Sequence, residues 1–282
     1  ENNMAANADI LDAGTLYVAQ FNDDGTAGDG VGVGVWIPLV HGQNGLTTGN
    51  GYIDQADVLI RTRQAASTVG ATPMDRPEWL AANPNKPGEV FVTLTNNSAR
   101  TAGQVNEANP RANNVYGQIL RWRTDRDDHA SNSFAWDLFV VAGNPTVHAG
   151  TAKAGSANIT PQNMFNSPDG LGFDKAGRLW ILTDGDSSNS GDFAGMGNNQ
   201  MLVADPQSKA IKRFLVGPSG CEVTGITWTP DRKTMFVNVQ HPGESTPAYG
   251  AGPFTFQSQW PVNCAGDSGL NFHLKLLLLL LM

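Results

Sequence analysis

The sequence predicts an all-β fold, a partial β-propeller with one or two short helical insertions, and three observations point to it. Strand-forming segments are short and separated by turn residues. A strand–turn–strand unit recurs at spacings of about 50 residues or roughly twice that, as expected for blades of four strands. The composition suits many tight turns, with 32 glycines and 7 tryptophans in 282 residues. A β-sandwich with long loops is the alternative on pattern alone.

In chain order, residues 14–21 read as a strand, and Asn22-Asp23-Asp24-Gly25 turns it. Residues 35–39 read as the next. Residues 54–69 are the helical stretch, with Ala56, Leu59, Ile60, Arg63 and Ala66 at helical spacing. The repeat then begins. Residues 78–83 lead through a Pro/Gly turn to 89–95. Residues 169–174 lead through Lys175-Ala176-Gly177 to 178–183, and residues 222–228 lead past Pro230-Asp231 to 234–239. The second strand of each unit is rich in β-branched and aromatic residues. Segments 118–123 and 201–204 supply further strands between the units.

Hydrophobic residues make up 40% of the chain, enough for a substantial core, and the net charge of -8 argues against nucleic acid as a partner. It does not argue against a small phosphate ester, because bound cations reverse the local field of an acidic site. Cys221 and Cys264 could pair or remain free thiols. Nothing near Glu1 resembles a signal peptide, so the natural start is expected upstream. Residues 1–270 read as one unit. Residues 271–282, with six leucines at 276–281, break with the composition before them. They are expected to be a non-native tail that does not join the propeller. A membrane anchor is the alternative, but the run is too short to span a bilayer as a helix. No membrane partner is expected, and a monomer is.

Each repeat unit carries an acid at its first strand: Glu78, Asp169 and Glu222. In a propeller the innermost strands line the central channel, so acids at equivalent strand starts converge on one mouth. A ring of carboxylates there repels itself unless hard cations such as calcium sit between the oxygens. The plainer reading is that the acids cap turns. Arg76 stands two residues before Glu78, and its rigid fork matches phosphate oxygens, although a salt bridge is the commoner fate of such an arginine. Asn96 and Asn97 could offer amide oxygens to a metal or shape a turn. The loop Asn109-Pro110-Arg111 contains a second arginine. Asp184-Gly185-Asp186 resembles the opening of a calcium loop, but Asn189 stands where the glycine of an EF-hand belongs and Gly195 where its glutamate belongs. His241 and Glu244 form a further candidate ligand pair. No phosphate-binding glycine loop and no Gly-x-Ser-x-Gly nucleophile turn is present.

Several segments, taken in order, resemble the PhoX-type alkaline phosphatases: residues 72–79, Thr95-Asn96-Asn97, Asn109-Pro110-Arg111, residues 167–171, residues 179–185, Glu222-Val223-Thr224-Gly225 and Gln240-His241-Pro242-Gly243. The resemblance covers about residues 10–265, as the C-terminal portion of a β-propeller phosphatase domain. It implies an exported phosphomonoesterase, periplasmic or secreted, acting on small-molecule phosphate esters with Ca2+ and Fe3+. Matched by motif, Arg76 resembles the arginine that holds the substrate phosphate, Glu78 a metal-bridging carboxylate and Asp169 a further metal ligand. Glu222 lies in a shared motif. The resemblance also implies a cysteine and glutamates from a segment corresponding to positions before Glu1, so the metal site is expected to be incomplete here and the fragment alone to be inactive. The competing expectations are a calcium-binding propeller without catalysis, or another propeller hydrolase such as a phytase, lactonase or phosphotriesterase.

Overall fold

Successive side chains of each strand face opposite sides, and that alternation gives three antiparallel sheets apolar faces to pack. The structure, a computed structural model, describes residues 7–8, 12–244, 258, 260 and 278–280. The first sheet holds β1 (Tyr17–Asp23), β2 (Val31–Pro38), β3 (Pro77–Ala82), β4 (Glu89–Leu94), β5 (Gln118–Thr124) and β6 (Ser133–Val141), in the order β1-β2-β6-β5-β4-β3. The second holds β7 (Pro168–Phe173), β8 (Leu179–Thr183), β9 (Gln200–Ala204) and β10 (Ile211–Val216), in simple meander order. The third holds β11 (Glu222–Trp228), β12 (Thr234–Gln240) and the short β13 (Leu278–Leu280). Strand β7 packs against both β3 and β11. The first strands of successive meanders thus face one another while the later strands lead outward, which is the radial arrangement of propeller blades.

The alternation explains why the sheets stack. On β8, Leu179 and Ile181 join Phe91, Ile119 and Phe139 in the core between the first and second sheets. Trp180 and Leu182 point the other way, onto Val223, Met235 and Val237 of the third sheet. On β4, Phe91 faces the second sheet, while Val90, Val92 and Leu94 pack with Trp122, Phe134 and Trp136 on the opposite face. Toward the Glu89 end of β4, buried charges fix the same pair of sheets. Arg121 binds Asp137 through two bonds of 2.8 Å and donates to the Pro206 carbonyl, while Lys209 reaches Asp137 at 2.7 Å.

The helical stretch forms as two short helices, α1 (Gln55–Ile60) and α2 (Thr62–Thr68), because Arg61 leaves helical geometry at φ -97°, ψ 37°. Asp54 caps the first by accepting from the Asp57 amide. Val58 and Ala65 bury against Leu39, Leu46 and Tyr52. Among the described residues, no helix is long and apolar enough to cross a membrane.

Two findings differ from expectation. Strands β6 and β10 are absent from the sequence reading. The expectation that the leucine-rich tail stays off the propeller fails for residues 278–280, whose backbone pairs antiparallel with β12 from Thr234 to Phe236. Without a neighbour, β12 would present an open edge of unpaired amides and carbonyls, which an apolar extended segment satisfies regardless of origin. Most of the tail, like Cys264, lies outside the described residues.

Candidate functional site

The acids are delivered where the innermost strands lose register. Pairing of β3 with β4 shifts between Pro77 and Leu80, that of β7 with β8 between Pro168 and Leu171, and that of β11 with β12 between Thr224 and Ile226. Such bulges re-aim side chains out of strict alternation. Glu78 and Asp169 fall within the first two shifts, and Glu222 opens the third strand.

Asp169, Asp184 and Glu222 converge, each placing a carboxylate oxygen within 4.8 Å of the others. Two of the three acids singled out from the sequence are therefore together, and Asp184 takes the place foreseen for Glu78. It stands just beyond β8, opposite Ser167, to whose carbonyl its amide donates at 3.1 Å. The following residue is held on both sides by buried Asn199, which accepts from the Gly185 amide at 2.6 Å and donates to its carbonyl at 3.0 Å. A side chain at Gly185 would collide with Asn166, whose oxygen would lie 1.8 Å from an added Cβ.

Glu78 lies at the margin of this trio, near enough for its charge to act on Asp169. Arg76 lies beside it, with Nη2 3.8 Å from Glu78 Oε1, and both side chains are open to solvent. As alternate residues of one extended strand, the two would share a side. They do meet, but Arg76 precedes β3 in the left-handed region, at φ 50°. That conformation is uncommon for any residue with a side chain, and more so before proline. The bulge at Glu78 and the turn at Arg76 bring them together.

The electrostatics follow from crowding. Burial pushes the Asp169 carboxyl up to about 6, with Glu78 and Asp184 adding to the rise and Arg76 opposing it. Burial likewise pushes Glu222 up to about 7, helped by Asp184 and Asp169 and opposed by His241. Asp184 is the most open of the three, yet its pKa is also raised, first by desolvation. Like charges in a partly desolvated pocket resist ionisation, and a cation between them removes the penalty.

The remaining candidates separate. Asn96 accepts from Arg76 Nη1 at 2.9 Å, and Asn97 donates to the Asp75 carboxylate, so both amides are engaged within the protein. Arg111 is buried, and it donates to the carbonyls of Ala142 and Gly117 and to Asn114. It braces the loop and does not enter the site. His241 lies at the rim, 3.5 Å from Glu222 and 3.2 Å from Glu244. Gln240 also reaches Glu222, at 2.7 Å. Cys221 is a free thiol buried in the core beside β12, where burial raises its pKa to about 11.

The family model described as Alkaline phosphatase PhoX matches residues 1–243. A solved structure, Pseudomonas fluorescens PhoX in complex with vanadate, a transition state analogue, shares 68% identity with a TM-score of 0.82. The match covers 86% of this chain and 42% of that one, so the chain spans less than half the length of this relative. A gluconolactonase from Xanthomonas campestris, XC5397, is matched over 82% of this chain and 67% of its own at 10% identity and a TM-score of 0.28, too low to carry an argument. No curated protein matches the chain.

Proposed function

Because the chain belongs to the PhoX family of alkaline phosphatases, we propose that it forms the C-terminal part of an exported, periplasmic or secreted, metal-dependent phosphomonoester hydrolase. The observation that carries this reading is the meeting of Asp169, Asp184 and Glu222 within 4.8 Å, under the field of Arg76. The relative bound to vanadate supports phosphoryl chemistry for the whole protein.

The donors fit calcium. They are hard carboxylate oxygens, and oxygens that share one Ca2+ at about 2.3–2.6 Å lie no more than about 5 Å apart, which admits the observed spread. Asp169, Asp184 and Glu222 would hold the ion, with Glu78 completing or bridging the site from its edge. Fe3+ is proposed on family membership. When bound, such cations supply charge neutralisation and Lewis acidity to the ester phosphate. The protein's own residues would do the rest. Arg76 presents a solvent-facing guanidinium that can grip two phosphate oxygens and stabilise the charge that develops on them. Glu78, 3.8 Å from Arg76 Nη2, would draw the guanidinium toward the acidic trio. His241, between Glu222 and Glu244, would orient the Glu222 carboxylate at the rim.

Hydrolysis of p-nitrophenyl phosphate by the full-length protein, before and after chelation and calcium re-addition, tests the reading. Metal-dependent release of nitrophenol, with a phosphodiester and a lactone left intact, is expected. Calcium binding without turnover would instead favour a non-catalytic calcium module.

A further inference from the structure

We infer that Asn96 is the positioning residue for Arg76, tying the phosphate-gripping guanidinium to the strand that carries Asp169. The inference rests on the role proposed above for Arg76. The Arg76 side chain is largely exposed and leaves an uncommon left-handed backbone turn at φ 50°. Its backbone is held from both sides. The Arg76 carbonyl accepts from the Thr95 amide at 3.0 Å. The carboxylate of Asp75, fully buried, accepts from Arg100, from Asn97 at 2.9 Å and from Asn114 at 2.9 Å. Among the described residues, the side chain has one hydrogen bond, to the Asn96 amide oxygen at 2.9 Å. The same amide donates through Nδ2 to the Ser167 hydroxyl at 3.1 Å.

That second bond belongs to a row. Thr93 donates to the Asp169 carbonyl at 2.7 Å, Thr95 to the Pro168 carbonyl at 3.0 Å, and Asn96 to Ser167. Side chains at the end of β4 and just beyond it thus stitch the first blade to residues 167–169 of the second. Asn96 is the member of the row that also reads the guanidinium. It occupies Nη1, which leaves Nε, and Nη2 once it turns from its 3.8 Å ion pair with Glu78, to face a phosphate, and it sets their distance from Asp169 through a rigid, doubly bonded amide. A misplacement of about 1 Å in such a group costs up to roughly 100-fold in rate.

The test is a double-mutant cycle in the full-length, metal-loaded enzyme with Asn96→Ala, Arg76→Ala and the double variant. It reads kcat and KM for p-nitrophenyl phosphate, the affinity for inorganic phosphate by calorimetry, and melting temperature. Asn96→Ala should lower kcat/KM about tenfold to 100-fold and weaken phosphate binding in parallel, with melting near wild type. In the Arg76→Ala background the same change should cost less than about twofold, because coupled residues are not additive. Ser167→Ala, which removes the anchor of the amide together with the bond the hydroxyl donates to Asn166 Oδ1 at 3.1 Å, should give a smaller loss of the same kind, whose Asn96-dependent part is again cancelled by Arg76→Ala, and it serves if Asn96→Ala folds poorly. Equal losses in both backgrounds, or phosphate affinity unchanged in Asn96→Ala, would overturn the inference while leaving the Arg76 role intact. Wild-type turnover in Arg76→Ala alone would remove the phosphate role of Arg76, and the role of Asn96 with it.

Discussion

Replacing Asp184 with Asn should stabilise the metal-free protein and abolish its response to calcium. The oxygens of the trio lie within 4.8 Å, and at an effective dielectric of about 20 two unit charges at that separation repel by about 3.5 kcal/mol. Asp184 takes part in two such pairs but is exposed, so solvent and salt reduce the relief to about 1 kcal/mol in total. That corresponds to a rise of about 2–4 °C in Tm. The pH dependence has a definite sign. Asp169 and Glu222 have folded-state values raised to about 6 and about 7. Their contribution to stability is therefore fully present below their unfolded values, near pH 4, and is lost as pH rises through 6 and 7. Metal-free wild type should lose stability across that window, and Asp184→Asn should lose less, because Asp184 contributes to both shifts. Calcium at about 100 times its dissociation constant should raise wild-type stability by about 2.7 kcal/mol and leave the variant nearly unmoved. Scanning calorimetry at pH 5 and pH 8, with chelator or with calcium, reads all of this. An Asp184→Asn protein that is less stable without metal and still shifts fully with calcium would refute the reasoning.

Other predictions concern the scaffold. Phe91→Ala, which opens the core between the first two blades, should cost about 3–5 kcal/mol in chemical denaturation. Asp75→Ala should cost a similar amount, about 3–5 kcal/mol, by stranding buried Arg100, and should also lower turnover by freeing the Arg76 turn. Gly185→Ala should depress both calcium affinity and Tm, since an added Cβ meets Asn166 at 1.8 Å. Cys221 should resist thiol reagents in the folded protein, because it is buried and its pKa is raised to about 11.

Much of this organisation was legible in the residues. The strand–turn–strand units at β3–β4, β7–β8 and β11–β12 carry apolar, β-branched runs bounded by turn residues, and the acids at their starts lead to the site through fold periodicity. Strand β6 was obscured because Asp137 interrupts an apolar run, and its pairing with Arg121 is a long-range fact. Strand β10 was obscured by Lys212 and Arg213, exposed and half-buried on a strand with one open face. Asp184 was visible as the head of a failed calcium loop and as part of the family-like segment 179–185, with a role assigned in neither. The available signal was hairpin register: pairing of Pro168 with Thr183 places Asp184 beside the Ser167–Asp169 segment. The left-handed turn at Arg76 had no signal, since a residue before proline is expected to be extended. The buried ties of Asp75, Asn97, Asn114 and Arg100 join segments up to 39 positions apart, which composition and spacing do not reveal.

The central claim is that the metal centre lies where the first strands of the second and third blades meet the end of β8. Anomalous X-ray diffraction from crystals of the full-length protein grown with calcium and iron locates the ions directly. The account predicts a metal within coordination distance of Asp169, Asp184 and Glu222, with Arg76 facing it across Glu78. Metals bound elsewhere, with these three carboxylates coordinating only water, would contradict it.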